Sequence, residues 1–442
     1  MVPKEHPSYE HIKSSGGIDE YRLKSNDLTV LLMEDHSAPV VTFMVTYRVG
    51  SRHEHVGYTG ATHMLEHLMF KGSKDFNKQN GKQIWKVLKP RGASLNATTW
   101  LDRTNYYEML PSEYLADAMA IEADRMRHAL LRQEDRDAEM TVVRNEYERG
   151  ENDPYEALDK AIWAEAYRVH PYHYSTIGLR EDIEGMTMER LKWFYDLFYW
   201  PNNATASVIG DFDRASVFDL LEKQFGQHGR SPEAIPSVHV QEPEQKELRR
   251  VTVRRAGEIG IVGVAHKTPR GLDPDMVPLQ VLSTILGGGK SSHLYRALVD
   301  TGLASRVMLW DQPFHDPGLI VTYAFLTPGT SHEQAEEIIV KEYASIKEHG
   351  VTEQEVRKAK AMAAAALAFS RDGSYAIAAN LNEAIALGDW TFYTTATQNI
   401  MKVTAADVQR VAAQYLTQER STTGYFIPSR RAMHKESHGQ KA

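Results

Sequence analysis

The chain has 442 residues, more than one ordinary hydrophobic core holds, so we expect two or more domains. The net charge of −8 is mild and argues against nucleic acid as a partner, because phosphate binding usually needs a basic face. There is no cysteine, so a bound metal must be held by His, Asp or Glu and not by thiolates.

Strand signals open each half of the chain and helical stretches follow them. Residues 29–33 and 39–49 are rich in β-branched side chains, with the acidic turn Glu34-Asp35 between them. In the second half, 249–254 alternates and 260–265 is apolar. Long helices are predicted over 111–131, 136–149 and 353–368. Strands and long helices without regular alternation predict an α+β fold with largely antiparallel sheets flanked by helices.

Two segments indicate that the halves are diverged copies of one unit. Residues 186–209 and 403–426 each predict an amphipathic helix, a turn and a strand, with Thr187 and Thr404 as helix caps. Between the halves lies a polar, proline-containing stretch that predicts a linker over 231–246. We therefore predict homologous domains over 1–230 and 247–442.

The segment from Gly60 to Gly72 predicts a helix with a metal-binding pattern. Its sequence is GATHMLEHLMFKG, in which His63 and His67 stand four residues apart with Glu66 between them. Helical residues advance by about 100° each, so these side chains share one face. Two imidazoles one turn apart can bind one ion, and the carboxylate can reach a water beside it. This is the zinc-peptidase H-x-x-E-H pattern.

A catalytic zinc ion generally takes three protein ligands. The predicted helix 136–149 offers Glu139 and Glu146, two turns apart on one face, with Val142 and Val143 between them as an apolar anchor. We predict that Glu146 is the third ligand and that Glu139 orients a ligating histidine. With one zinc ion per chain, peptide hydrolysis would follow, with Glu66 as the base.

Other histidines and glutamates offer less specific patterns. His53 and His55 fall in a turn after a strand, and His170 and His173 in a loop, so we do not expect them to bind metal. Glutamates two turns apart are most often a solvated helix face, and a histidine pair on a helix is most often a surface pair. The predicted metal site therefore depends on the two helices meeting.

Several motifs resemble those of the pitrilysin and mitochondrial-processing-peptidase family of inverted-motif zinc peptidases, over nearly the whole chain. They are the H-x-x-E-H with its FKG tail, EMTVVRNEYERG (139–150), RGASLNATTWLDRTNYYEMLP (91–111), HPYHYSTIG (170–178), FYWPNNATASVIGDF (198–212) and the Gly-rich 286–305. The resemblance is greatest to the small-subunit bacterial and mitochondrial branch.

The resemblance implies two homologous domains that form half of a clamshell, and a closed chamber that admits short or unfolded peptides. Asn96 and Ala97 match the edge strand to which the family's substrates add as a further strand, so substrate binding at these residues is implied. The N-terminal segment MVPKEHPSYEHIKSSGG itself lacks the apolar stretch of a secretory signal, so we expect a bacterial cytoplasmic protein, or a periplasmic one if a signal peptide has been removed. No apolar run approaches the roughly 18 residues of a membrane span, so we expect no membrane association.

The resemblance also implies that this chain is incomplete. Family members that cleave peptides carry an Arg and a Tyr around a Gly-Leu-Ala landmark in the second half. Here Val299 and Ser305 stand in those places, and the nearby Tyr295 and Arg296 lie on another part of the helix. A related partner chain, in a heterodimer, would supply the missing pair; a homodimer that tolerates the loss is the alternative.

Two rival functions remain. A nucleotide site could use Gly287-Gly-Gly-Lys290-Ser-Ser, but a Walker A loop needs glycine at 284, where threonine stands. A non-catalytic scaffold subunit of the same fold is the second rival. Such chains usually lose the metal motif, whereas His63, Glu66 and His67 are present here together with Glu146.

Overall fold

The protein is described here by a computed structural model that covers residues 6–429. Its strands form two sheets, one in each half of the chain. The strands are β1 (Tyr9–Ser15), β2 (Ile18–Leu23), β3 (Thr29–Glu34), β4 (Val40–Tyr47), β5 (Ser94–Thr99), β6 (Thr104–Pro111), β7 (Ala204–Gly210), β8 (Arg249–Ala256), β9 (Ile261–Lys267), β10 (Ala304–Trp310), β11 (Leu319–Leu326) and β12 (Ser421–Ser429).

The α-helices flank both sheets. They are α1 (Ala61–Met69), α2 (Ile84–Leu88), α3 (Leu115–His128), α4 (Gln133–Asn152), α5 (Pro154–Ala166), α6 (Arg180–Gly185), α7 (Met188–Phe198), α8 (Arg214–Phe225), α9 (Met276–Gly287), α10 (His332–His349), α11 (Glu353–Phe369), α12 (Ser374–Leu387), α13 (Thr391–Lys402) and α14 (Ala405–Tyr415). The helix predicted from residue 111 starts four residues later, because Pro111 ends β6. Across residues 6–429 no helix is both long and apolar enough to cross a membrane.

The two sheets repeat one strand order. The first sheet is β1-β2-β3-β7-β4-β6-β5, and the second is β8-β12-β9-β11-β10 when read in the matching direction. Only the pairs β3–β7 and β8–β12 are parallel; every other described pair is antiparallel. The prediction of two homologous α+β domains with largely antiparallel sheets is confirmed, and the hairpin β1–β2 is an addition to the first.

The duplicated helix–strand segment occupies the same place in both domains. Thr187 and Thr404 cap α7 and α14, each accepting a hydrogen bond from a backbone N–H three residues on. The strand after each helix, β7 or β12, inserts into the middle of its sheet. For this reason β3 and β4, which are joined by the acidic turn, do not pair with each other.

Each domain contributes one helix that packs on the sheet of the other domain. On α5, Leu158 and Ile162 pack into a cluster with β9, β11 and β12 of the second sheet, whereas α12 packs on β3, β4 and β7 of the first. Ile162 lies over the paired glycines Gly263 and Gly424, where an added Cβ would stand 2.4 and 2.5 Å from its side chain. The glycines let α5 approach the sheet closely, so the two halves share their cores.

The segment between the halves is anchored although it forms no regular structure. Residues 226–248 contain neither helix nor strand. The carboxylate of Glu242 accepts hydrogen bonds from the backbone N–H groups of residues 168–170 at 2.9–3.1 Å. It also pairs with Lys267 on β9 at 3.2 Å. This segment therefore touches both domains.

A buried carboxylate fixes the start of α1. Glu54, which is fully buried, accepts hydrogen bonds from the backbone N–H groups of Gly60 and Thr62, both at 2.7 Å. The first N–H groups of a helix have no acceptor within the helix, and the carboxylate of Glu54 is the acceptor for two N–H groups at the start of α1. Asp182 accepts further bonds from Gly57 and Thr59 at 2.6–3.1 Å and holds the preceding loop.

The substitution Glu54→Ala tests this capping. We expect it to lower the free energy of unfolding by about 2 kcal/mol or more, because two buried N–H donors lose their acceptor. Urea unfolding followed by circular dichroism measures the change. The exposed glutamate Glu258 provides the control, since Glu258→Ala should have almost no effect. Equal stabilities of the two variants would contradict the capping role.

Candidate metal centre

Three predicted ligands from two helices come together at one point. His63 and His67 lie one turn apart on α1, with ring centroids 4.8 Å apart, and Glu146 reaches them from α4. Oε2 of Glu146 is 3.5 Å from Nε2 of His63 and 3.6 Å from Nε2 of His67. Among residues 6–429 this is the one group of three or more such side chains with the spacing of a metal site.

The geometry and chemistry of these atoms fit a zinc ion. Ligand atoms about 2.0–2.2 Å from a tetrahedral zinc stand roughly 3.4 Å apart, close to the distances in this group. Burial lowers the pKa of His63 to about 4, and the adjacent His67 adds to the effect, so the imidazole of His63 is neutral near pH 7 and has a lone pair to donate. Carboxylate and imidazole acceptors that face one another need a cation between them.

Glu139 orients the second histidine. Its Oε2 accepts a hydrogen bond from Nδ1 of His67 at 2.9 Å, which leaves Nε2 of that ring directed at Glu146. Lys71, two residues beyond the end of α1, bonds the other oxygen of Glu139. Burial would raise the pKa of Glu139, but the bonds from Lys71 and His67 outweigh it and hold the pKa below its ordinary value. The carboxylate is therefore ionised and fixes the tautomer of His67.

Glu66 lies on the same helix beside the ligand group. Oγ1 of Thr99 donates a hydrogen bond to Oε2 of Glu66 at 2.5 Å. Burial raises the pKa of Glu66, although this bond and the nearby positive charges oppose the shift. Thr99 is the last residue of β5, so this bond joins the carboxylate to the strand that borders the site.

The predicted substrate-binding residues lie on a sheet edge. Strand β5 pairs only with β6 among the described strands, so its other side is open. Asn96 is exposed, whereas Ala97 points into the core and is 5% exposed. Side chains alternate along a strand, so the backbone between these residues is the part that a further strand could pair with.

The loop histidines that were not expected to bind metal lie outside the ligand group. His170 is buried and bonds Asp316 at 3.0 Å, and His173 bonds the backbone carbonyl of Tyr167 at 2.7 Å. The prediction that both valines anchor α4 is wrong for one of them. Val143 is 1% exposed and packs in the core, but Val142, about 100° further around the helix, is 41% exposed.

Val299 and Ser305, which stand where the sequence resemblance led us to expect an Arg and a Tyr, lie in the second domain. Val299 ends a short π-helical turn, Tyr295–Val299, and is partly buried. Ser305 is exposed near the start of β10, and its hydroxyl donates to the backbone carbonyl of Phe325 at 3.2 Å. Neither side chain offers a long, charged or phenolic donor.

Sequence reasoning missed Lys71, Thr99 and Glu54. Lys71 had a usable signal, since it stands four residues after His67 and so shares its helix face. Thr99 and Glu54 act from other elements, and only the tertiary packing brings them to α1.

Known proteins share both the sequence and the fold. A family profile described as insulinase (peptidase family M16) matches residues 29–179, and one described as peptidase M16 inactive domain matches 185–363. The zinc protease PqqE of Helicobacter pylori is 30% identical over 410 residues, which cover 92% of each chain.

Solved structures show the same architecture. The crystal structure of a protease from Helicobacter pylori is similar with a TM-score of 0.87 at 30% identity, covering 96% of this chain and all of that one. Pitrilysin is similar with a TM-score of 0.78 at 20% identity, and there the match covers 96% of this chain but 47% of the pitrilysin chain. The fold thus corresponds to about half of pitrilysin. The two matched profiles and the relative identical in 30% of positions establish that the chain belongs to peptidase family M16, the insulinase family.

Proposed function

We propose that this chain is the zinc-bearing subunit of a metalloendopeptidase that cleaves short or unfolded peptides. The convergence of His63, His67 and Glu146, with Glu66 beside them, is the observation that carries the proposal. The name of the relative PqqE as a zinc protease supports it. We assign one zinc ion per chain to this group.

The residues of this chain would each do one part of the hydrolysis. When bound, zinc supplies a Lewis acid for the scissile carbonyl and makes water more acidic. Glu66 takes a proton from the attacking water and delivers it to the leaving amine. Thr99 holds one carboxylate oxygen of Glu66, which keeps the base in one orientation, and the other oxygen would accept the proton.

The substrate would be an extended peptide. Its backbone would pair with the open edge of β5 at Asn96 and Ala97, beside Glu66. Main-chain pairing places little demand on sequence, and it requires a chain that is not already folded. A half-clamshell closed by a second half would admit such peptides and exclude folded proteins.

A homologous partner chain would complete the site. Val299 has no hydrogen-bond donor and Ser305 is engaged with Phe325, so neither can reach a substrate carbonyl as an Arg and a Tyr would. We propose a heterodimer in which the partner supplies that pair, with a homodimer as the alternative. The fold matches half of pitrilysin, which supports a second half of similar shape.

A non-catalytic scaffold subunit of the same fold is the second candidate function. The profile described as an inactive domain covers only 185–363, beyond the ligand group. A scaffold has no need of a histidine pair, a third ligand and a base brought together by two helices. The arrangement in the first domain therefore favours the enzyme.

The ligand assignment predicts distinct effects on zinc content. His63→Ala, His67→Ala and Glu146→Gln should each abolish stoichiometric zinc, since each removes one of three ligands. Glu139→Gln should weaken zinc affinity about 10–100-fold, as loss of an orienting partner does. Metal analysis after dialysis against a graded chelator measures both. The exposed His349→Ala serves as control. Loss of zinc in Glu139→Gln but not in Glu146→Gln would reverse the two roles.

The assignment of Glu66 as the general base predicts that its substitution lowers activity without loss of zinc. Glu66→Gln should retain zinc, because the side chain is not a ligand, and should lower kcat by at least about a hundredfold through loss of the general base. Peptide cleavage and metal content are measured on the same preparation, in the presence of the partner. Glu258→Gln should leave both unchanged. If Glu66→Gln loses zinc as well, Glu66 is a ligand and the assignment is wrong.

The partner assignment predicts that the purified chain is nearly inactive alone. Mixing with a homologous chain that lacks the H-x-x-E-H motif but carries the Arg and Tyr should restore cleavage. Zinc content must be equal in both samples, so that the metal does not account for the difference. Full activity from the isolated, zinc-loaded chain would refute the need for a partner.

A further inference from the structure

The end of β5 is held by a side chain from the turn that follows it. Arg103 lies in the turn between β5 and β6, and its Nη1 donates to the carbonyl oxygen of Thr98 at 3.1 Å and to Oγ1 of the same residue at 2.6 Å. Thr98 stands between the proposed substrate-pairing residues and Thr99, whose hydroxyl holds Glu66. A displacement of Thr98 would therefore affect both the substrate strand and the base.

The hydroxyl of Thr98 is hydrogen-bonded as acceptor and as donor. Its oxygen accepts from Arg103, and its proton goes to Oδ1 of Asn105 at 2.5 Å, the residue opposite it on β6. A hydroxyl has one proton to give, so the two bonds fix the rotation of this side chain. Arg103 is 8% exposed and Asn105 is 2% exposed, so water competes little for these bonds.

The second domain completes this set of bonds through α12. Nη2 of Arg103 pairs with Oε1 of Glu383, and Oε2 of Glu383 accepts from Gln312, in the loop before β11, at 3.3 Å. Asn382, the preceding residue of α12, is buried and donates to Oδ1 of Asn105 at 3.3 Å. The helix α12 is thus joined to β5 through Arg103 and to β6 through Asn105.

A guanidinium suits this place because it bonds in two directions at once. One terminal nitrogen of Arg103 bonds Thr98 in the first domain, and the other bonds Glu383 in the second. The planar group keeps these two directions at a fixed angle, which the single ammonium of a lysine does not. A shift of α12 relative to the first sheet would therefore move Thr98 or break one of these bonds.

We propose that Arg103 is a positioning residue for peptide hydrolysis, which fixes the end of β5 relative to Glu66 and is anchored by Glu383 of the second domain. The inference rests on the proposed function, because it concerns the strand that would hold the substrate. The buried side chain of Arg103 acts through Thr98 and Thr99 and not on the reacting atoms. The second domain, which supplies none of the three proposed zinc ligands, thereby takes part in placing the substrate.

Kinetics in the presence of the partner test the effect on the reaction. Arg103→Gln should lower kcat about tenfold or more, because a small displacement of reacting groups has effects of this size. KM should rise less than about threefold, since the edge at Asn96 and Ala97 can still pair with a peptide. Zinc content should not change.

Glu383 offers a second variant that carries little risk to folding, because its side chain is 37% exposed. Glu383→Gln should lower kcat less than Arg103→Gln does, since the bonds from Arg103 to Thr98 can persist. The double variant should be no less active than Arg103→Gln alone, because Glu383 acts through Arg103. Additive losses in the double variant would show that the two residues act separately and would overturn the inference.

Another ion pair between the domains provides the control. Nζ of Lys13, on β1, lies 3.0 Å from Oδ1 of Asp389, two residues beyond α12. Strands β1 and β5 are the two ends of the first sheet, so this pair joins the domains far from the ligand group. Lys13→Gln should leave kcat and KM unchanged. Equal losses in Lys13→Gln and Arg103→Gln would show that such pairs only dock the domains, and the inference would be wrong.

Hydrogen exchange of the isolated, zinc-loaded chain tests the placement of β5 without hydrolysis. The amides of residues 94–99 should exchange at least about fivefold faster in Arg103→Gln than in the wild type. In Lys13→Gln they should exchange at the wild-type rate. Mass spectrometry of peptides that cover β5 measures these rates. Unchanged exchange in Arg103→Gln would overturn the inference.

The two kinds of measurement separate this inference from the proposed function. Lower kcat together with faster exchange in Arg103→Gln supports both. If the wild-type complex cleaves no peptide, the peptidase is refuted, whereas faster exchange in Arg103→Gln still upholds the role of Arg103 in fixing β5. If the wild type cleaves peptides and Arg103→Gln does so with the same kcat, the peptidase stands and the inference is refuted.

Discussion

The first domain has to hold three acceptor side chains from two helices within bonding distance of one point. His63 and His67 take their relative position from the helical period, but Glu146 arrives on α4, far along the chain. The buried Val143 keeps α4 against the core, and Glu139 joins α4 to His67 on α1 and to Lys71 just beyond that helix. Such a group of lone pairs is unfavourable without a cation, so the packing around it must be rigid enough to maintain it.

Burial shifts the pKa values of the histidine His63 and the carboxylate Glu66 in opposite directions. It lowers the pKa of His63 and thereby keeps a lone pair available for a metal. It raises the pKa of Glu66, which makes this carboxylate a stronger base than one in water. Both effects follow from the same low-dielectric surroundings, and the bond from Thr99 limits the second by favouring the ionised form.

The sequence predicted what depends on local periodicity. The helical face of His63, Glu66 and His67, the caps of α7 and α14, and the α+β repeat follow from residue spacing. Non-local pairing was not predictable: nothing in 29–49 indicates that β7 separates β3 from β4. The same holds for Glu54 and Thr99, whose partners are defined by packing. A seven-residue spacing puts Glu139 and Glu146 on one face but does not determine which of them meets the histidines.

The exchange of α5 and α12 has a consequence for motion. Each helix fills the face of a sheet that belongs to the other domain, and Ile162 is seated on two glycines of the second sheet. Rotating one domain away from the other would expose both of these apolar faces to water. The free-energy cost of that exposure opposes a hinge motion between the domains. The two domains are therefore expected to move together as one rigid body. In the proposed dimer, an opening that admits a peptide would form where this body meets its partner, so the rate of substrate entry would be a property of the assembly and not of this chain.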